Sequence, residues 1–165
     1  ILIGKPFDAT FFSLFDGAKA EQNESSKSLH HKVLIVGGGS GGIAVAAQLN
    51  KRSSGLDVAI LEPKDKHQYQ PFWTLVSAGL YYIDDAERPQ ESVIPRGATW
   101  IQDAVDEFHP DNNFVLTKDG KKISYDYMVV STGMEAYWDK IKGLKPVLGR
   151  RGVSSYFSYD NVENV

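Results

Sequence analysis

Six consecutive residues, Gly37-Gly38-Gly39-Ser40-Gly41-Gly42, carry a Gly-x-Gly-x-x-Gly spacing at Gly37, Gly39 and Gly42, and an acid, Glu62, follows 62 − 42 = 20 residues later. Bare glycine backbone offers N–H groups to an anion, and a carboxylate accepts hydrogen bonds from the paired hydroxyls of a ribose. Together they are chemistry for holding a dinucleotide. Gly37 permits the tight turn, Gly39 lets the backbone approach a pyrophosphate, and Gly42 lets helix and strand pack closely. A carboxylate at Glu62 also repels a 2′-phosphate, which disfavours NADP.

These residues work only if flanking elements hold them. Val33, Leu34, Ile35 and Val36 supply an apolar strand before the glycines, and Ile43, Ala46 and Ala47 recur at i, i+3, i+4 on a helix after them. Asp57-Val58-Ala59-Ile60-Leu61 reads as a second strand that delivers Glu62 at its end. A plain nicotinamide domain would continue with a helix and a third parallel strand. Instead Pro63 to Thr74 is a loop with two prolines, rich in aromatics, followed by an apolar stretch to Leu80 and a strand near Thr99 to Ile101. Ala104 to Phe108, Asn113 to Thr117 and Lys122 to Tyr125 then alternate as a meander, with Asp119-Gly120 as a hairpin turn. Tyr127-Met128-Val129-Val130 is a short buried strand ending in Ser131-Thr132-Gly133. Flavoproteins of the two-dinucleotide-binding type have this order of parts, with a late strand that ends in a Thr-Gly turn beside the cofactor. The expected fold is therefore α/β, a Rossmann-like FAD-binding domain, incomplete, with an inserted small antiparallel β-meander, and Thr132 and Gly133 join the expected cofactor-binding residues.

The stretches VLIVGGGSGGIAVAAQL, VAILEPKDKHQYQPFWTLVSAGL, SVIPRGATWIQDAVDEF and ISYDYMVVSTGMEAYWDKIKGL make the resemblance specific. The chain resembles, from about His31 onward, the amino-terminal part of the mitochondrial sulfide:quinone oxidoreductase family. Glu-Pro followed by His-x-Tyr-Gln-Pro-x-Trp-Thr-Leu-Val is the most diagnostic piece. The resemblance implies that Ser40 and Gly41 hold the FAD pyrophosphate, Glu62 the adenosine ribose, that Gln70 lies on the loop toward the flavin, and that Val105 offers its backbone to the adenine. It further implies hydrogen sulfide and ubiquinone as substrates, a small thiol or sulfite as sulfur acceptor, and a mitochondrial location at the inner membrane, with peripheral membrane contact through parts absent from this chain. In that family sulfide attacks a cysteine pair beside the flavin, a persulfide forms, and electrons pass through FAD to ubiquinone.

This chain of 165 residues contains no cysteine. Neighbouring hydroxyls are weak nucleophiles without an adjacent base and cannot replace a thiolate. The redox cysteines are expected downstream, as are a second Gly-rich motif and a late Gly-Asp turn, so the chain is expected to be a partial protein and catalytic residues are assigned to none of its positions. An NADH:quinone oxidoreductase-type flavoprotein and a non-catalytic nucleotide-binding fragment remain alternatives.

A hydrophobic content of 42% supports one core. A formal charge of −3 offers no basic stripe for nucleic acid, and Lys118 to Lys122 reads as a solvated hairpin end. Val33 to Ala47 is too short and too rich in glycine to span a bilayer, which takes ~20 apolar residues. Residues 1–30 show no pattern of a fold and are expected to be irregular, with the domain occupying 31–165. His30 and His31 read as a solvated strand entry, not a metal site, and no metal ligands are assigned. His67 and Tyr69 could line a flavin edge or lie on the surface. Asp84, Asp85 and Glu87 read as a solvated acidic loop, Lys64 and Lys66 as solubilising, and Arg150-Arg151-Gly152 as exposed.

Overall fold

The computed structural model of the chain describes residues 2–4 and 29–164. In chain order the elements are β1 (Leu2–Gly4), β2 (Leu29–Val36), α1 (Ser40–Arg52), β3 (Val58–Leu61), β4 (Lys66–Gln68), α2 (Trp73–Ser77), β5 (Glu87–Pro89), α3 (Gln90–Val93), β6 (Ala98–Ile101), β7 (Val105–His109), β8 (Phe114–Thr117) and β9 (Lys122–Val130), joined by short 3₁₀ turns.

Val33 to Val36 and all of β3 are buried, as strands covered on both faces must be. Strand β2 lies between β3 and β9 and is parallel to both, and β6 extends the parallel set beyond β3. The sheet has seven strands in the order β6-β3-β2-β9-β8-β7, with β1 beside β9. One core layer joins Leu34, Val36, Leu61, Val115, Ile123 and Met128; the other joins Val33, Ile35, Val58 and Ile60 to Ala46 of α1. Each such side chain contributes about 1.5 to 3 kcal/mol by leaving water.

Four expectations need correction. The meander is not a separate small sheet, because its last strand and the late strand before Ser131 are one element, β9. Strand β2 keeps one parallel register with it, from Leu29 opposite Ile123 to Val36 opposite Val130, so the alignment is the same on both sides of Asp126. The other edge of β9 is shared: Lys122 to Ser124 pair with β8, and Tyr127 to Val129 pair with β1. The amino-terminal segment is thus not wholly irregular, since Leu2–Gly4 forms that edge strand; the remainder of residues 1–28 lies outside the described residues.

The buried face of α1 is Gly42, Val45, Ala46 and Leu49, while Ala47 is exposed. Close packing at Gly42 sets the rotation of the helix, which turns the face by one residue from the expected Ile43-Ala46-Ala47 stripe. His30 and His31 lie inside β2, not ahead of it. His31 is buried and its Nδ1 is 2.9 Å from Asp57 Oδ1, so it anchors the sheet end and is not a solvated entry.

The connection from β3 to β6 is long and holds the small β4–β5 sheet, α2 and α3. Trp73 and Val76 of α2 and Ala86 form a third cluster with Val162, so the last described residues return to cover this connection.

Candidate cofactor-binding site

The chain leaves β2 at Val36 and turns at Gly37, whose N–H donates to Leu61 O at 2.9 Å and whose φ is +104°. A Cβ at Gly37 would run into the Ser131 carbonyl, and one at Gly42 would overlap the Gly37 carbonyl. Both positions need glycine because backbone already fills the space where a side chain would start. Gly39 differs: nothing lies within 4 Å of where its Cβ would be. It caps α1 with no side-chain hydrogen bond, and the first turn of α1 contains no acid. The first N–H groups of a helix have no partner within it, and its amino end is positively polarised. Open space in front of such donors suits a diphosphate.

Glu62 is fixed at its backbone by donation from its N–H to Ile101 O at 3.1 Å and by Trp100 Nε1–H donating to its carbonyl at 2.9 Å. Its carboxylate is turned toward the glycines: Oε2 accepts from the Gly38 N–H at 2.8 Å, and Oε1 accepts from the Lys64 N–H at 2.9 Å. A carboxylate has about four acceptor sites. Two stay open for hydroxyl donors.

A cavity of about 480 Å³ lies at the carboxyl ends of β2, β3 and β9. Gly37, Gly39, Glu62, Gln70, Val105, Thr132 and Gly133 all line it, although they come from five separate places in the chain. Ser40 and Gly41 sit at the exposed start of α1, just outside that lining, and Gly42 is buried beneath it. His67 is buried and lines the cavity; Tyr69 is 49% exposed and does not. Among the described residues there is no cluster of three or more potential metal ligands, and no helix is long and apolar enough to cross a membrane.

Gln90 escaped the sequence reading. It is 1% exposed, lines the same cavity, and its Nε2 donates to the Gly38 carbonyl at 2.9 Å. Pro89-Gln90-Glu91 carries no pattern that announces a contact 52 residues away.

Beside the cavity, Glu87 is not solvated as expected. Lys66 Nζ lies 2.5 Å from its Oε1, and the Tyr159 hydroxyl donates to its Oε2 at 3.0 Å. The hydrogen bond from Lys66 holds the Glu87 carboxyl below its ordinary range against the opposing effect of burial, with help from Tyr159. Burial and the bond to Glu87 push the Tyr159 hydroxyl up. Lys66 therefore ties the loop after Glu62 to β5 and to the end of the chain.

Residues 31–156 match the family described as pyridine nucleotide-disulphide oxidoreductase. The chain belongs to that family. Its members are FAD-binding oxidoreductases. The mitochondrial sulfide:quinone oxidoreductase of Dictyostelium discoideum is 55% identical over 133 residues, 80% of this chain and 29% of that protein. The protein of the same name from Mus musculus is 43% identical over 134 residues, 81% of this chain and 30% of its own length. The X-ray structure of the sulfide:quinone oxidoreductase from Aquifex aeolicus matches with a TM-score of 0.61 at 24% identity, over 82% of this chain and 30% of that one, which is a likeness of fold. The chain thus spans about 30% of the length of the curated relatives it matches. The residues present fit FAD: an open glycine cradle, a carboxylate with free acceptor sites, and a cavity between them and the Thr132-Gly133 turn.

Proposed function

We propose that this chain forms the FAD-binding part of a mitochondrial sulfide:quinone oxidoreductase. Within it Gly37, Gly39, Ser40, Gly41 and Gly42 form the diphosphate turn, Glu62 holds the adenosine ribose, Val105 borders the adenine, and Gln70, Thr132 and Gly133 lie toward the flavin. The observation that carries the reading is the Glu62 carboxylate directed at the Gly38 N–H, which puts the ribose acceptor and the anion turn side by side. The NADH-linked alternative is disfavoured because the relatives at 55% and 43% identity bear the sulfide:quinone name.

Bound FAD supplies the two-electron relay between a thiol-type donor and a quinone. The work of the chain's own residues is to bind and orient it. The α1 amino end and the bare turn neutralise the diphosphate. Glu62 fixes the ribose, and a carboxylate in that place excludes a 2′-phosphate. His67, Trp73, Phe108 and Met134 wall the cavity and limit water beside the cofactor. The chain has no cysteine, so sulfide attack falls to thiols outside these residues, as does the hand-over of sulfur to a small thiol or sulfite. Ubiquinone reduction at the inner membrane belongs to the same complete enzyme.

Glu62→Ala in the complete protein tests the site. It leaves the Gly38 N–H and the ribose hydroxyls without their acceptor, at a cost on the order of 1 to 3 kcal/mol, about tenfold or more in the FAD dissociation constant. Fluorescence titration reads it, and unchanged FAD affinity refutes the assignment. The 165-residue polypeptide alone is expected to give no sulfide-dependent quinone reduction; robust turnover would overturn the assignment of thiol chemistry to residues beyond it.

A further inference from the structure

Gly38 is held through both of the peptide groups it joins. Its N–H donates to Glu62 Oε2 at 2.8 Å, and its carbonyl accepts from Gln90 Nε2 at 2.9 Å. The preceding carbonyl, Gly37 O, likewise accepts from the Ser131 hydroxyl at 3.1 Å. A carbonyl oxygen facing a diphosphate would repel it, whereas the N–H groups that follow attract it. Each of the two carbonyls in the turn is therefore engaged by a side-chain donor from another part of the chain, and the N–H groups beyond Gly39 are left for a ligand. Gln90 is itself anchored, since its backbone N–H donates to Asp65 O at 2.7 Å. It also presses on the turn: a Cβ on Gly38 would lie 2.6 Å from Gln90 Nε2 and 2.7 Å from Glu62 Cβ.

We propose that Gln90 is a positioning residue for FAD, which fixes the orientation of the Gly38–Gly39 peptide so that the turn presents N–H groups, not carbonyl oxygens, to the diphosphate. The buried amide has a reason to be polar: at 1% exposure, an amide without a partner would destabilise the fold, and this one spends a donor on the turn. The inference rests on the reading of this turn as the diphosphate site.

The test uses Gln90→Leu and Gln90→Glu in the complete protein, with FAD dissociation constants from fluorescence quenching and unfolding midpoints of the FAD-free form. Leu keeps the volume and removes the donor; Glu keeps the shape and, when ionised, can only accept. Both are expected to raise the dissociation constant about tenfold near pH 8. Gln90→Glu is expected to recover toward wild type near pH 5.5, because burial at this position raises the pKa of a carboxyl and, once protonated, it donates again. Glu62 holds the adjoining Gly37–Gly38 peptide, and Lys64, Lys66 and His67 line the same cavity, so each variant is compared with wild type at the same pH. A packing role alone would give no such pH-dependent rescue. Wild-type affinity in both variants overturns the inference, and so does an equal loss in Gln90→Glu at both pH values. Glu62→Ala separates the two readings: if it weakens FAD binding while the Gln90 variants do not, only the role of Gln90 falls; if none of the three does, the site reading falls with it.

Discussion

The turn between β2 and α1 and the connection from Pro63 to Pro89 border the same cavity but are held by different physics. The turn is packed main chain against main chain at Gly37 and Gly42, where no side chain fits, and its carbonyls and N–H groups are engaged at 2.8 to 3.1 Å by the side chains of Glu62, Gln90 and Ser131. The connection is held by side chain against side chain: the Lys66–Glu87–Tyr159 clamp, and Trp73 and Val76 packed on Val162. Tyr81 and Tyr82 remain 48% and 80% exposed at its tip. On the proposed function, a turn that binds a fixed anion gains from rigidity, and a wall that borders the rest of a cofactor is built from parts that can adjust. On that proposal the turn supplies affinity and the connection supplies shape.

The largest effect is expected at the turn. Gly42→Ala forces apart the Gly37 carbonyl and α1, so about 3 kcal/mol of stability should be lost and FAD binding with it, as read by urea unfolding and flavin content. Near-normal stability there would erase the contrast. In the connection, Val162→Ala opens a cavity under Trp73 and Val76 and should cost about 2 kcal/mol. Hydrogen exchange should then quicken over residues 66–89 and leave β2 and β3 protected. Uniform loosening of both would show that the regions are not separate.

The clamp predicts a pH dependence in the connection alone. Glu87 is depressed in the folded state below its ordinary value of 4.5, first by Lys66 and then by Tyr159, against burial. A depressed carboxyl contributes stability that is present above its unfolded value and lost as pH falls through the folded one. Acidification below about pH 4.5 should therefore loosen the connection before the sheet, with Trp73 fluorescence as the reporter. Gln in place of Glu87 should cost about 1 kcal/mol at pH 7 and flatten that response. The smallest effect is expected at the hairpin tip, where Lys118→Ala should shift stability by less than about 0.5 kcal/mol and leave FAD affinity unchanged.

Much of the site was legible because it is local. A strand, three spaced glycines and a helix form one continuous stretch, and Glu62 closes the next strand, so period and spacing were enough to bring them together. The aromatic loop was legible as a loop, but its contacts were not: Glu87 looked solvated because nothing nearby in sequence pairs with it, and Tyr159, its partner, lies 72 residues away. The helix face was misplaced by one residue because the hydrophobic period of α1 is weak, and the docking of Gly42 decides the rotation instead.

What the residues determine unaided is a parallel α/β core with a glycine turn and an acid at its mouth, since apolar runs, glycines and a strand-end carboxylate act through neighbours along the chain. Tertiary structure alone decides that β9 is one strand shared by the parallel set, the meander and β1, that His31 is buried on Asp57, and that Gln90 reaches the Gly38 carbonyl. Those outcomes depend on partners tens of residues distant, and a hydrogen bond leaves no periodic mark on the sequence at either of its ends.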